Sequence, residues 1–418
     1  MDKSILIISY YSNMPGACQA EWVDDRIEVL LNNKRKIKLL SSICCFKYRK
    51  PGIDHRRMQS IFPMSFMYEF EEIKRRGIEY ELYKMRYFKM FYKISKISKR
   101  IFNFFRGEGK WDWFISSLLW SIFNWRFYKN IEYIYSTGGP PSAHLLGILI
   151  KKITNKKLVV ELQDPLSGDN IGRNKRSKYY LEKIEKFIIC HSDLIIYCTE
   201  SASNYARLNH KKHVKKIHFV YPGSSLKSEI FNKDKTSVSK INLTYLGSLY
   251  QTRNLDNLLK AIFNLSKQNI DIENKLIINL YGNIDLDIKK RILDFDIDII
   301  RIHGLISRPE ALIKAEMSNV LLLIQNTDNR SVTTIPFKVY DYLRLNKLIF
   351  GLTYKNIELN EILNKHGHIY CDADKIKQIE NSLLLLLNNF DSLSHRIVPS
   401  NLTPELAILK IEDLINSI

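Results

Sequence analysis

Short runs of β-branched and aliphatic residues alternate with longer segments of 3.6-residue apolar period along almost the whole chain. That alternation is the pattern of parallel α/β units. The first series of strands falls at 5–9, 37–41, 133–136, 158–162, 194–198 and 217–220, with helices between. Tyr221-Pro222-Gly223-Ser224-Ser225, followed by polar residues up to 240, interrupts the pattern and reads as a linker. The alternation then restarts, with strands at 241–246, 276–281, 299–303, 320–324, 348–351 and 368–370. A chain of 418 residues is too long for one comfortable core, and its 45% hydrophobic content supports folded domains. The expectation is α/β with two Rossmann-like domains whose parallel sheets face a central cleft. The first spans 1–222, a linker 223–240, the second 241–395, and a helical tail 396–418 that could lie across either domain.

Several function classes are excluded by what these segments lack. No Gly-x-x-x-x-Gly-Lys or Gly-x-Gly-x-x-Gly run is present, which disfavours P-loop NTPases and standard nicotinamide enzymes. The six cysteines form no Cys-x-x-Cys pair and read as buried thiols. His366, His368 and Cys371 lie close enough in sequence to raise a metal site, but a strand end with ordinary polar residues accounts for them. Ile5-Leu6-Ile7-Ile8 is too short for a signal-peptide core, and the aromatic stretch 113–125 falls short of the ~18 to 20 apolar residues that span a bilayer. A cytoplasmic location follows as an expectation.

The formal charge of +20 favours an anionic partner. Residues 84–106 carry eight Lys or Arg and no acid, interleaved with Tyr87, Phe88, Phe91, Ile94, Ile97, Ile101 and Phe105 at helical spacing. This reads either as a basic amphipathic insertion that docks on anionic lipid or as a helix packed on its own domain with a solvated face. No base-reading motif accompanies the charge, so nucleic acid is not an expected partner.

Candidate site residues sit where strands deliver loops to helices, because open parallel sheets bind ligands at the carboxyl ends of their strands. The strand at 241–246 runs into Gly247 and Ser248, then a short loop with Arg253 and a helix. Glycine allows close approach and arginine answers a diphosphate, although a plain βα turn has the same outline. Around Ser331-Val332-Thr333-Thr334-Ile335-Pro336-Phe337-Lys338, Thr334 is expected to cap a helix with Pro336 in its first turn. Thr333, Thr334, Lys338 and Asp341 join the donor-binding set. Asp341 could accept hydrogen bonds from sugar or ribose hydroxyls, or be a structural carboxylate. In the first half, Asp164 ends a strand and could position an acceptor hydroxyl or take its proton, or merely cap the next segment. Gly16, Gly138, Gly139 and His144 complete the acceptor-side set, with a core role for His144 the competing reading.

These segments, in order, resemble family-4-type glycosyltransferases of bacterial surface-polysaccharide synthesis over nearly the whole chain. Ser12-Asn13-Met14-Pro15-Gly16 resembles that family's glycine loop, and Trp111-Asp112-Trp113, the Gly138-Gly139-Pro140-Pro141 turn and Leu162-Gln163-Asp164-Pro165 its N-domain set. Tyr245-Leu246-Gly247-Ser248 with Arg253, His303-Gly304, and Pro336-Phe337-Lys338-Val339-Tyr340-Asp341-Tyr342-Leu343 resemble its donor-binding set. The resemblance implies a GT-B fold, a UDP- or GDP-linked sugar donor, no metal or other cofactor, and transfer with retention to a glycan or lipid-linked acceptor. It gives Arg253, with the amides around Gly247 and Ser248, the leaving diphosphate, and Asp341 the place of the second carboxylate of a Glu-x7-Glu element at the ribose. Departures are visible: Thr333 stands where the first acid belongs, Asp replaces Glu at 341, and Gln163 and Leu166 replace Arg and Trp. Two rivals stay open, a nucleotide-sugar epimerase of the same fold and a non-catalytic membrane-surface scaffold. The Asp294-Phe295-Asp296-Ile297-Asp298 run precedes a strand rather than following one, which argues against a metal-dependent GT-A transferase.

Overall fold

A computed structural model describes residues 3–14, 17–60, 69, 110–168, 175–226, 240–295, 298–390, 392–393 and 398–418. Gly16, the basic segment 84–106 and residues 227–239 of the linker lie outside the described residues. The chain divides into two compact units, one made of residues 1–222 with 404–418 and the other of 223–403.

Unit 1 is built on seven parallel strands: β1 (Ser4–Ile8), β2 (Lys36–Ser42), β3 (Ile53–Met58), β4 (Ile131–Thr137), β5 (Leu158–Leu162), β6 (Leu194–Tyr197) and β7 (Ile217–Phe219). Their order is β3-β2-β1-β4-β5-β6-β7. Helices α1 (Cys18–Asn32), α2 (Trp111–Phe123), α3 (Pro141–Thr154), α4 (Lys175–His191) and α5 (Glu200–Asn209) connect them. Every residue of β5 and β6 is buried, as expected of parallel strands covered on both faces. Strand β3 escaped the sequence reading because Ile53-Asp54-His55-Arg56-Arg57-Met58 carries charge rather than β-branched residues. It is an edge strand, where charge is tolerated and discourages further pairing.

Unit 2 repeats the plan with β8 (Ile241–Leu246), β9 (Leu276–Tyr281), β10 (Ile300–Gly304), β11 (Val320–Ile324), β12 (Leu348–Thr353) and β13 (Ile369–Asp372), in the order β10-β9-β8-β11-β12-β13. Its helices are α6 (Asp256–Lys267), α7 (Leu286–Asp294), α8 (Arg308–Glu316), α9 (Arg330–Thr333), α10 (Lys338–Arg344), α11 (Ile357–Lys365) and α12 (Ile376–Asn389). Helix α6 shows why the pattern works: Leu258, Leu259, Ala261, Ile262 and Leu265 form its buried stripe. In each sheet the order reverses beside the first strand, β1 or β8, the topological position that leaves a crevice at the strand ends.

The final helix, α13 (Pro404–Asn416), belongs to unit 1 although the chain reaches it from unit 2. It buries Ala407, Ile408, Ile411 and Ile415. Lys157 donates to the Ile415 carbonyl at 3.5 Å, and Arg35 lies 3.9 Å from Glu412.

One charged cluster sits fully inside unit 1. Arg26 of α1 meets Glu161 of β5, which also accepts from Tyr135 at 2.6 Å and from Thr137, both on β4. Burial works against the Arg26 charge, but Glu161 together with Tyr135 and Cys198 outweighs it and holds the guanidinium protonated. Removing one partner of such a pair leaves an uncompensated buried charge. Glu161→Leu is therefore expected to destabilise unit 1 by about 3–5 kcal/mol in urea denaturation. The Arg26→Met/Glu161→Leu double variant should recover most of that loss.

Candidate functional site

The carboxyl ends of β8, β9 and β10 each finish at a glycine: Gly247, Gly282 and Gly304. Gly282 has φ +139° and lies so close to its neighbour that a Cβ would sit 2.1 Å from the Gly247 carbonyl oxygen. Gly247 has φ +140°, and a Cβ there would meet the Lys338 ammonium at 2.5 Å. Both positions hold a backbone conformation that side chains rarely adopt, and at Gly282 backbone atoms leave no space for one, whereas at Gly247 the Lys338 ammonium alone would have to move. The Gly247 amide donates to the Tyr281 carbonyl at 2.8 Å, and the Gly282 amide to that of Gly304 at 2.7 Å, which locks the three turns side by side.

Two cations converge on this edge. Lys338, the first residue of α10, donates to the Leu246 carbonyl at 2.6 Å and lies 4.3 Å from the Tyr245 ring centroid. Arg253 closes a tight turn, exchanging backbone hydrogen bonds with Tyr250 at 3.0 Å each way, with its guanidinium 5.3 Å from the Tyr250 ring. Its Nε is buried without a hydrogen-bond partner. Burial pushes the Tyr245 hydroxyl up to about 12, and the nearby Arg253 charge opposes that rise. Ser248 is exposed, and its carbonyl accepts from the Tyr245 hydroxyl at 3.0 Å. The loop is tied down from β11: Asp328 accepts from Thr252 and pairs with Arg330 at 2.7 Å.

The expected cap at Thr334 is corrected by the structure. Thr334 is extended, at φ −121° and ψ 135°, and α10 starts only at Lys338, with no side-chain cap at Phe337. The physical reason is Pro336, which disfavours helical conformation at Ile335 and so breaks the chain between Thr333 and the new helix. The Thr334 hydroxyl donates to the Arg330 carbonyl at 2.7 Å, and its carbonyl accepts from Gln325 and Asn356 at 3.1 and 2.9 Å. Thr333 is the last residue of the four-residue helix α9.

Asp341 is buried, accepting from Ser224 at 2.6 Å and pairing with Arg308 at 3.0 Å. Its carboxylate is thereby committed to partners in its own unit. Arg308, at the start of α8 behind the Ser307–Glu310 capping box, was missed by the sequence reading. A surface arginine in a first helical turn leaves no mark until its partner is placed.

In unit 1 the corresponding strand ends gather other residues. Gly138 and Gly139 turn the chain after β4, the latter against the Tyr11 ring. Gln163 donates to the Gln19 carbonyl at 3.1 Å, and Asp164 beside it is exposed. His144 does not join them. It is buried within α3, hydrogen-bonded through Nδ1 to Ser136 at 2.8 Å, and burial depresses its pKa to about 3. A neutral core histidine replaces the acceptor-side role expected of it, since its place on the inner stripe of α3 turns the ring to the sheet.

Two carboxylates brace this edge and were not singled out from sequence. Asp24 of α1 accepts from the Ser12 hydroxyl at 2.9 Å and the Asn13 amide at 2.8 Å, holding the loop after β1. Glu69 accepts from Tyr10 and Ser42, both at 3.1 Å, and from the Ser60 hydroxyl at 2.7 Å, uniting the segments after β1, β2 and β3. Burial raises both pKa values to about 7. The readable signal for Asp24 was an acid set among Ala20, Val23, Ile27 and Leu30 on an apolar helix face.

No family model matches the chain. Over 179 residues it is 26% identical to uncharacterized glycosyltransferase MJ1069 of Methanocaldococcus jannaschii, covering 39% of this chain and 45% of that protein. The chain thus spans less than half the length of that curated relative. Among solved structures, HepE of Anabaena in complex with UDP and glucose superposes with TM-score 0.62 at 9% identity over 100% of both chains. The lipopolysaccharide outer core galactosyltransferase WaaB, in its apo form, superposes with TM-score 0.59 at 10% identity over 99% of each. The fold is GT-B. UDP-GlcNAc 2-epimerase of Neisseria meningitidis, bound to UDP-GlcNAc, is also similar, with TM-score 0.53 at 11% identity over 99% of this chain and 100% of that one. The GT-B likeness read from ordered sequence motifs and the two sheets of this structure therefore agree.

In this GT-B chain the raised carboxylates carry a pH signature. Unfolded Asp and Glu release their protons near ~4, whereas Asp24 and Glu69 hold theirs up to about 7. Between these values the folded state binds more protons, so their contribution to stability falls as pH rises. Asp24→Asn should retain the loop contacts and flatten the decline in melting temperature between about pH 4 and 7, as measured by differential scanning fluorimetry against wild type.

Proposed function

We propose that the chain is a glycosyltransferase that takes its sugar from a nucleotide-diphosphate donor. The observation carrying this reading is the meeting of Lys338 and Arg253 at the glycine-lined ends of β8 and β9. A diphosphate seated there faces two fixed cations and close backbone, and Arg253 offers a buried Nε without an acceptor. As the bond between C1 of the sugar and the diphosphate oxygen breaks, negative charge grows on the leaving group. Preorganised cations stabilise that charge more than they stabilise the intact donor, which is the condition for catalysis. The acceptor oxygen bonds to C1 and loses its proton, and Asp164 at the end of β5 is assigned to that acceptor side.

The donor is a UDP- or GDP-linked sugar, in keeping with the UDP complexes of HepE. The acceptor is a glycan or lipid-linked glycan of surface-polysaccharide assembly, transfer proceeds with retention, and no metal takes part in the chemistry. Asp341 acts in this scheme by holding Arg308 at the start of α8, and a direct ribose contact would require exchange of one of its present partners. A second reading, epimerisation of the donor sugar, is favoured by the likeness to UDP-GlcNAc 2-epimerase; an epimerase converts its donor with no acceptor present. No described helix is long and apolar enough to cross a membrane.

Melting temperature against a panel of nucleotide diphosphates and nucleotide sugars tests the donor site, because a ligand bound only by the native state stabilises it by mass action. One nucleotide class is expected to raise the melting point. Arg253→Ala and Lys338→Ala should each weaken that nucleotide at least about tenfold, given ~1.5–3 kcal/mol for a hydrogen bond to a charged group. Unchanged affinity in both variants would remove the site.

A further inference from the structure

Helix α10 is only seven residues long, yet it is tied to stretches of unit 2 far apart in sequence. Its residues Lys338, Asp341 and Arg344 follow at i, i+3 and i+6, so successive members of this polar row are neighbours on the helix surface. At the start of the row α10 takes both backbone polar groups of Leu246, the last residue of β8. Lys338 donates to the Leu246 carbonyl at 2.6 Å, and the Leu246 amide donates to the Tyr342 hydroxyl at 3.3 Å. These bonds fix the Lys338 ammonium beside Gly247.

The rest of the row is tied to the places where the chain enters and leaves unit 2, at Gly223 and Thr403. Those two places lie against each other. Gly223 has φ +74°, a Cβ on it would meet the Thr403 backbone at 2.6 Å, and the Ser224 amide donates to the Leu402 carbonyl at 3.1 Å. Ser224 is buried; its hydroxyl donates to Asp341 at 2.6 Å and accepts from the Leu226 amide at 3.2 Å. Arg344 donates to the Leu226 carbonyl at 2.9 Å and to the Pro399 carbonyl at 3.3 Å, one bond to each segment. Buried Val339, Tyr340 and Leu343 supply apolar packing, which is non-directional, so the directional bonds of the polar row decide where on that packing the helix sits. A hydrogen bond is lost within about 1 Å of displacement, and a small slip of α10 would therefore take Lys338 out of reach of a ligand at the Gly247 turn.

We propose that Ser224 and Arg344 are positioning residues for the donor diphosphate: through α10 they hold the Lys338 ammonium at the Gly247 turn. Because coupling between two places is reciprocal, a diphosphate seated on Lys338 is felt in return at residues 223–226 and 399–403. The proposal rests on the donor-site reading above. Full-length protein is titrated calorimetrically with UDP and GDP and with uridine and guanosine, which lack the diphosphate. Wild type should bind one diphosphate more tightly than its nucleoside; if it binds neither diphosphate, the donor-site reading falls and this proposal with it. Ser224→Ala and Arg344→Gln should each weaken the diphosphate at least about fivefold, the worth of one ordinary hydrogen bond. Nucleoside affinity should stay within about twofold, and the loss should vanish in a Lys338→Ala background, whereas a general loosening of unit 2 would weaken both ligands and add to Lys338→Ala. Hydrogen exchange of wild type, which needs no variant to fold, should show amides of 224–226 and 400–403 several-fold slower with the diphosphate than with the nucleoside. Where Lys338→Ala weakens the diphosphate, the donor site stands. The positioning role alone is then overturned if both variants bind the diphosphate like wild type, if nucleoside affinity falls in step, if the losses add to Lys338→Ala, or if exchange at both segments ignores the diphosphate.

Discussion

A parallel strand buried on both faces has its backbone groups paired along its length and its side chains committed to packing, so its chemistry can only appear at its ends. The core strands of both units obey this constraint. In β11 and β12 every residue is buried. The residues that could meet a ligand are consequently those just beyond the strands: Gly247 and Arg253 after β8, Gly282 after β9, Gly138 and Asp164 after β4 and β5. Crowding at Gly282 and Gly247 is the local expression of the same constraint, since two turns can lie against each other only where no side chain intervenes.

Electrostatics then divides the two units. In unit 2 the strand ends present cations, Lys338 and Arg253, whereas Arg308 and Arg330 are answered by Asp341 and Asp328. In unit 1 the corresponding edge is braced by Asp24 and Glu69, which burial inclines toward the neutral form. An edge with two half-buried cations has the charge to answer a diphosphate.

Much of the fold was legible because hydrophobic periodicity reports burial directly. The β-branched strands and amphipathic helices of both units lie close to where their patterns put them. The exception, β3, is an edge strand whose charges carry no burial signal. The candidate site was legible where a motif followed a strand, as with Gly247 and Arg253, and the structure brings Lys338 of α10 against Gly247. It was illegible where a role depends on tertiary partners. Thr334 looked like a cap until Pro336 broke the helix ahead of it, and His144 fitted the acceptor side only until α3 was seen to turn it inward, the competing core reading. Arg308 and Glu69 acquire meaning only through Asp341 and through three separate strand ends.

The central claim is that the ends of β8 and β9, with Arg253 and Lys338, form a diphosphate site. A crystal structure of the protein grown with saturating UDP tests it most directly. Diphosphate density is expected against the Gly247 turn, with oxygens within hydrogen-bonding distance of the Arg253 guanidinium and the Lys338 ammonium. Nucleotide bound elsewhere, or strand ends left empty while UDP occupies another part of the chain, would contradict it.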